Sequence, residues 1–392
     1  MNFLVRHISD IIAAYKAETP LSIYLKNFFR SFPKLGSRDR KAITQAVYLY
    51  YRYAKILPSH LTPIEVIFNG IQHSKTGNSF LETMLLRYDD NLPSKIAEIN
   101  LPEQPLPELS KGIVREDWLH SFQTQPRMFI RTRKTGIPTH LEAAGIPYEK
   151  NSENCLGLPN GANLESLLAA EDYVVQDWAS QQSVHFLMEN CEVSLAKKIW
   201  DCCAGAGGKS LMITDLTPDA QILATDIRTS ILGNLSERFK RYHRTAPETI
   251  AADVSNPAAL QKTIPGRQFD LIICDAPCSG SGTWARTPEQ YHFFRKKSLK
   301  AMCERQRKIA SNVTSFLKPG GALAYITCSV FYDENEAIVN EIAAGHGLEI
   351  TAMKLINGTK KGADSMFIAL LKKSAGDSEP ILSTPEHSGL HS

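Results

Sequence analysis

From about Lys198 onward the chain repeats one pattern, a short apolar run followed by an amphipathic stretch. The runs fall at 199–203, 221–226, 249–253, 269–275, 322–328, 348–353 and 366–372. Strands this apolar are buried on both faces, and strands that alternate with helices pair in parallel because each crossover returns the chain to the same edge. The expected fold is α/β, a Rossmann-like domain with a mostly parallel seven-stranded sheet covered by helices. Open sheets of this kind hold ligands at the carboxyl ends of their strands. The loops after these runs are therefore where chemistry is to be sought.

The segment ahead of this domain reads differently. Between positions 8 and 57 the apolar residues fall at helical spacing, with Tyr24, Leu25, Phe28 and Phe29 in one stripe and Ile43, Val47, Tyr50 and Tyr51 in another. Pro20, Pro33, Gly36 and Pro58 punctuate them. An all-α N-terminal domain is expected, continuing through 64–68 and 80–88. Pro93, Pro102, Pro105 and Pro107 mark a linker over 91–112, because closely spaced prolines remove backbone donors and break helices. Positions 125–175 carry β-like runs at 128–132 and 173–176 around a short helix at 139–144, a small α+β module. Ser, Pro and Gly dominate from Ala375 to the end, the composition of a disordered tail. The boundaries so drawn are 1–112, 113–190, 191–374 and 375–392.

No apolar run approaches the roughly 20 residues of a membrane span, and Arg6, His7 and Asp10 break up the first segment as in no signal peptide. A cytoplasmic protein without a membrane partner is expected. The 8 cysteines contain no CxxC pair, so reduced thiols and no metal site are expected. Net charge is only +3, but it is uneven: residues 1–57 hold ten Lys or Arg against three Asp or Glu, and 284–308 hold eight against two. Aromatics accompany both stretches, among them Tyr48, Tyr50, Tyr51 and Tyr53 in the first and Tyr291, Phe293 and Phe294 in the second. Basic faces interleaved with aromatics fit RNA. Arg127, Arg131, Arg133 and Lys134 of the small module have no acidic neighbour in sequence and fit the same role.

The first run opens into Asp201-Cys202-Cys203-Ala204-Gly205-Ala206-Gly207-Gly208-Lys209-Ser210. Glycines at a strand-to-helix turn let a nucleotide-like cofactor approach the backbone. A phosphate-binding P-loop needs glycine where Cys203 stands, and a dinucleotide fingerprint needs one where Ser210 stands. S-adenosylmethionine fits better: its sulfonium suits Asp201. Asp226, with Arg228 beside it, ends the next strand, where a carboxylate accepts both ribose hydroxyls. Asp253, at the end of the third run, is placed for the adenine amine. The expected cofactor contacts are Asp201, Cys203, Ala204, Gly205, Gly207, Gly208, Lys209, Asp226, Arg228, Asp253 and Asp275.

Two cysteines close apolar runs further on, Cys278 in Asp275-Ala276-Pro277-Cys278-Ser279-Gly280 and Cys328 in Tyr325-Ile326-Thr327-Cys328-Ser329. A cysteine most often packs as a small buried hydrophobe. The turn residues beside Cys278 and the polar run Asp333-Glu334-Asn335-Glu336 after Cys328 argue instead for an exposed sheet edge. The residues alone do not rank the two thiols.

The glycine loop and both cysteine motifs together resemble the RNA cytosine-5 methyltransferases of the Sun/Fmu (RsmB-like) family. Val175-Gln176-Asp177-Trp178-Ala179-Ser180-Gln181, Arg286-Thr287-Pro288-Glu289 and Gln306 resemble further family segments, and Gly36-Ser37-Arg38-Asp39-Arg40 resembles a NusB-like extension. One departure is Ala206, where the family usually has proline. The resemblance implies a class I methyltransferase fold, S-adenosylmethionine as cofactor and 16S ribosomal RNA as partner, with transfer RNA or a non-catalytic assembly role as alternatives. A monomer is expected. It implies Cys328 as the nucleophile at cytosine C6, Cys278 as the residue assisting release and Asp275 on the base edge. A thiolate needs a positive neighbour, for which Lys209 is the candidate, with an ordinary helix-surface lysine as the alternative reading. Arg286, Arg295 and Lys296 are expected phosphate contacts. A DNA methyltransferase usually has Gln where Ser279 stands.

Overall fold

The computed structural model describes residues 2–74, 79–89, 92, 96–100, 106–193 and 196–375. Five helices, α1 (Asn2–Ala14), α2 (Leu21–Ser31), α3 (Ser37–Tyr53), α4 (Pro63–Ser74) and α5 (Ser79–Tyr88), pack around Ile8, Leu25, Ile43, Val47, Tyr51 and Met84. The helical spacing of those residues places them on inward faces. Among the described residues no helix is long and apolar enough to cross a membrane.

After α6 (Arg115–Ser121) comes the small sheet, formed by β1 (Met128–Thr132), β2 (Glu149–Ser152), β3 (Cys155–Leu158) and β4 (Tyr173–Val175), with α7 (Ile137–Ala143). Its strand order is β2-β3-β1-β4, all antiparallel. The β2–β3 hairpin is absent from the sequence reading because Glu149-Lys150-Asn151-Ser152 is a polar edge strand with no buried face.

The large sheet follows α8 (Trp178–Asn190). Its elements are β5 (Lys198–Asp201), α9 (Gly208–Leu216), β6 (Gln221–Asp226), α10 (Thr229–Arg241), β7 (Glu248–Ala251), α11 (Pro257–Thr263), β8 (Phe269–Asp275), α12 (Pro288–Phe293), α13 (Lys296–Thr314), β9 (Leu317–Thr327), α14 (Glu336–His346), β10 (Leu348–Ile356) and β11 (Met366–Lys373). The order is β10-β11-β9-β8-β5-β6-β7, seven strands with only β11 running against its neighbours. This is the expected class I methyltransferase sheet. All seven apolar runs fall on strands, although β9 starts at Leu317, five residues ahead of the run at 322–328. Local chemistry sets the helices: Asn256 accepts a hydrogen bond from the Ala259 amide and Pro257 sits at the first helical position of α11. In α13, Leu299, Cys303, Gln306, Ala310 and Val313 recur every three or four residues and are buried.

Packing draws the parts together differently from the boundaries at 112 and 190. Trp118 of α6 is buried under the large sheet beside Trp284 and Phe331, and Leu187 of α8 packs on its opposite face. The Ser110 amide donates to Val330 O at 2.8 Å and Leu109 bridges to Phe331, so the end of the proline-rich segment is docked rather than free. Pro93, Pro102, Pro105 and the tail beyond Ala375 lie outside the described residues.

The helical bundle meets the sheet domain where α3 packs on α12. Arg52 is buried there and donates to Phe122 O at 2.5 Å, Ala285 O at 2.8 Å and Thr124 O at 3.0 Å. Burial pulls its guanidinium down to about 10. Lys55 donates to Tyr291 O at 2.7 Å, and Tyr51 and Phe293 lie with ring centroids 5.7 Å apart. These cations and aromatics were expected on RNA-binding faces; they instead build an interdomain seam, where buried carbonyls take up the cations' donors. Exposed cations of the same stretches include Lys26, Arg30, Lys34, Arg295, Lys296 and Lys297.

Candidate active site

Strands β5 and β8 are adjacent, and strand order reverses between them, which opens a crevice at their carboxyl ends. Asp201 closes β5 and Asp275 closes β8. Strand β9 pairs in parallel with β8, with Ile326 level with Asp275. Cys278, three residues past β8, and Cys328, one past β9, therefore meet. Their Sγ atoms are 3.2 Å apart. They share a cavity of about 590 Å³ with Asp201, Lys209, Asp226 and Asp253.

The glycine loop forms the opposite wall. Gly207 has φ +74, and a Cβ there would lie 2.6 Å from Leu235 Cγ, so only glycine fits. It is also the one expected cofactor residue that does not line the cavity; Cys203, Ala204, Gly205, Gly208 and Arg228 all do. The Gly205 amide donates to Asp226 Oδ2 at 3.1 Å, and the Arg228 amide and Nε donate to Asp226 Oδ1 at 2.9 and 3.0 Å. Burial pushes the Asp226 carboxyl up, but these donors win and hold it below the usual carboxylate range. Asp253 lies just past β7 and accepts from the Ser255 amide at 3.0 Å.

Asp201 has the opposite balance. It is 2% exposed, its Oδ2 accepts from Ser210 Oγ at 2.5 Å, and its Oδ1 has no partner. Burial pushes its carboxyl up to about 7. Lys209 is buried and donates from Nζ to Asp275 Oδ2 at 2.6 Å. Burial works against its charge, yet Asp275 outweighs burial and raises the ammonium above its ordinary value. It is thus a paired charge inside the site, not a helix-surface lysine. The Cys278 thiol is pushed well above its ordinary value, first by its hydrogen bond with Cys328 and then by burial.

Behind the thiols lies a group that sequence reasoning quoted but gave no role. Glu334 is fully buried and accepts from the Ser279 amide at 2.8 Å, Ser279 Oγ at 2.5 Å, Ser329 Oγ at 2.5 Å and Gln306 Nε2 at 3.0 Å. Arg305, one residue before Gln306, lines the cavity and was also missed; as one charge in a basic helix it carries no distinguishing local pattern.

Several expected RNA contacts are engaged elsewhere. Arg286 donates to Asp177 Oδ2 at 2.8 Å and to Asp364 at 3.2 Å, tying the Cys278 segment to α8 and to the turn before β11. Arg131, Arg133 and Arg244 all donate to Asp215, at 2.8, 2.9 and 2.8 Å. Lys134 pairs with Asp172 at 2.5 Å and Arg127 with Glu149 at 2.7 Å. Among the described residues no cluster of His, Cys, Asp or Glu is arranged to hold a metal ion.

Residues 191–376 match the family model of the 16S rRNA methyltransferase RsmB/F. A ribosomal RNA small subunit methyltransferase B of Vibrio cholerae is 36% identical over 200 residues, 50% of this chain and 44% of its own length. The chain spans about half the length of the curated relatives it matches. Among solved structures, PH0851 aligns over 89% of this chain and 93% of its own with a TM-score of 0.63 at 18% identity. NSun6 from Pyrococcus horikoshii covers 67% of this chain and 94% of its own, with a TM-score of 0.56 at 16% identity. These two are likenesses of fold. The segment that holds both cysteines and the glycine loop, residues 191–376, thus matches the methyltransferase family RsmB/F.

Proposed function

We propose that this chain is an S-adenosylmethionine-dependent RNA cytosine-5 methyltransferase acting on 16S ribosomal RNA, as a cytoplasmic monomer, through a covalent bond from Cys328 to C6. The observation that carries the reading is the pair of thiols 3.2 Å apart, facing across one cavity a glycine loop flanked by acids. Carbon 5 of cytosine is a weak nucleophile, and a thiolate bonded to C6 makes it an enamine-like one.

The cavity suits the cofactor. Asp226 is available to the ribose hydroxyls, Asp253 to the adenine amine, and the unpartnered Asp201 Oδ1 offers negative charge near a sulfonium. S-adenosylmethionine held there supplies an electrophilic methyl group. The protein's own residues do the rest. The Cys278 thiol lies 3.2 Å from the Cys328 sulfur, close enough to exchange a hydrogen bond with it, and attack on C6 uses the Cys328 thiolate. As Cys328 bonds to C6 the ring gains negative charge; Asp275 accepts from the exocyclic amine and Lys209 balances the charge beside it. Loss of the C5 proton, to a water held by Cys278 or to the Cys278 sulfur once its own proton has passed to solvent, returns electrons to the ring, breaks the C6–S bond and frees Cys328 as the thiolate.

Methyl transfer from labelled cofactor to a 16S RNA transcript tests the reading. Label is expected in RNA, as 5-methylcytosine after digestion to nucleosides, and ribonuclease treatment of the substrate is expected to abolish it. Incorporation that survives ribonuclease, or no incorporation into RNA, would sink the proposal.

Asp201 adds a pH dependence. With its carboxyl raised to about 7, it is largely protonated at pH 6 and ionised at pH 8. A cationic ligand favours the ionised form, so cofactor affinity should rise by roughly 3–10-fold over that interval. Calorimetry at both pH values checks this, and Asp201→Asn should flatten the dependence.

A further inference from the structure

The two thiols sit on separate loops that meet past the ends of β8 and β9, where the Gly282 amide donates to Cys328 O at 2.9 Å. Side chains tie the two loops together closer to the sulfurs. Ser279 immediately follows Cys278, and Ser329 immediately follows Cys328. Both hydroxyls donate to the same oxygen, Glu334 Oε2, at 2.5 Å each. The other oxygen accepts from the Ser279 amide and from Gln306 Nε2, whose side chain also donates to Pro277 O at 3.0 Å. One carboxylate thus grips the chain one residue downstream of each sulfur.

All four donors are uncharged. A carboxylate stripped of water is costly unless its oxygens are fully hydrogen-bonded, and Glu334 meets that condition only because both cysteine loops supply donors. The dependence runs both ways: displacing either loop leaves a buried acceptor unsatisfied. Asn335, next in sequence, steadies the second loop. Its Nδ2 donates to Ser329 O at 3.0 Å, and its Oδ1 accepts from Thr327 Oγ1 at 2.5 Å.

We propose that Glu334 is a positioning residue that sets the separation of the two thiols by holding the serine after each of them. The inference rests on the reading that Cys328 and Cys278 act as a pair in methyl transfer. Electrostatics agrees with the geometry, since the negative field of Glu334 adds to the effects that keep the Cys278 proton in place. The other titratable groups facing this cluster are Cys303 and Tyr325 on the core side, and Lys209 with Asp275 on the cavity side.

Glu334→Gln keeps the shape, removes the charge and turns one acceptor into a donor. The methyl-transfer rate is expected to fall roughly 100-fold, the cost of misplacing reacting groups by about an ångström. KM for RNA and cofactor affinity should stay within about threefold, the signature of an interaction used only in the reacting geometry. Alkylation of Cys278 by iodoacetamide at neutral pH, followed by peptide mapping, should become about 3–10-fold faster as its thiolate fraction rises. Ser329→Ala removes a single arm, so it guards against a variant that does not fold; its rate should fall about tenfold with cofactor affinity intact. Wild-type methylation and wild-type Cys278 alkylation in folded Glu334→Gln would overturn the proposal. So would parallel losses of rate and cofactor affinity in Ser329→Ala, which mark a merely structural group. If the wild-type protein methylates no RNA, the methyltransferase reading fails, and the alkylation comparison still decides the clamp.

Discussion

Cys328→Ala should lose methyl transfer by at least about 10³-fold and form no denaturation-resistant complex with RNA, because on the proposed reading its sulfur is the one that bonds to C6. Cys278→Ala should instead accumulate such a complex, since its C6–S bond forms but the C5 proton is not removed. Denaturing gels of each variant with RNA and cofactor separate these outcomes. A complex with Cys328→Ala and none with Cys278→Ala would reverse the two roles. Sulfur separation alone does not distinguish them, for a contact of 3.2 Å is symmetric. The surroundings of Cys278 bear on its own role: its hydrogen bond with Cys328, then burial, then the charge of Glu334 push the thiol up and disfavour its thiolate. A thiol that resists ionisation is the poorer attacking group at neutral pH.

The second large effect lies far from the thiols. Asp215→Ala should lower the free energy of unfolding by about 3–5 kcal/mol, the cost typical of removing one member of a buried charge cluster. Asp215 ends α9, and the arginines it receives come from β1, from Arg133 just after β1 and from Arg244 after α10. Arg131 has only 8% of its side chain exposed, so without Asp215 its charge is left buried with no counterion. Burial pushes the Asp215 carboxyl up, but the three guanidinium groups outweigh it and hold the group below its usual value. Its contribution is therefore complete above the unfolded pKa of about 3.9 and is lost as pH falls through the lower folded value. Denaturant unfolding at neutral pH and in acid checks both statements. In Asp215→Asn the loss at neutral pH should remain while this acid dependence disappears. Full stability of Asp215→Ala would mean that water, not Asp215, satisfies Arg131.

The same cluster marks the limit of reasoning along the chain. Arg131, Arg133 and Lys134 have no acidic neighbour in sequence, which made them candidates for RNA. Their partners Asp215 and Asp172 arrive through the fold, and Arg286 likewise finds Asp177 and Asp364. Arg52 and the aromatics around it read as a basic, ring-rich face but bury themselves in the seam with α12. A charge is free or spent according to what lies within 4 Å, and for these residues that neighbour lies tens to hundreds of positions away.

What the amino-acid sequence determined by itself is the sheet and the position of its chemistry. Apolar runs, helix-start signals and glycines act over a few residues, so β6 and β8 were legible to the residue, and the loops with Asp201, Cys278 and Cys328 were placed at strand ends. Only the tertiary structure decided how those ends combine. The parallel register of β8 with β9 brings the two thiols together, Asp275 claims Lys209, and Glu334 binds both cysteine loops at once. Local propensity stops at the end of an element, whereas a hydrogen bond or an ion pair requires two groups whose meeting depends on every strand between them.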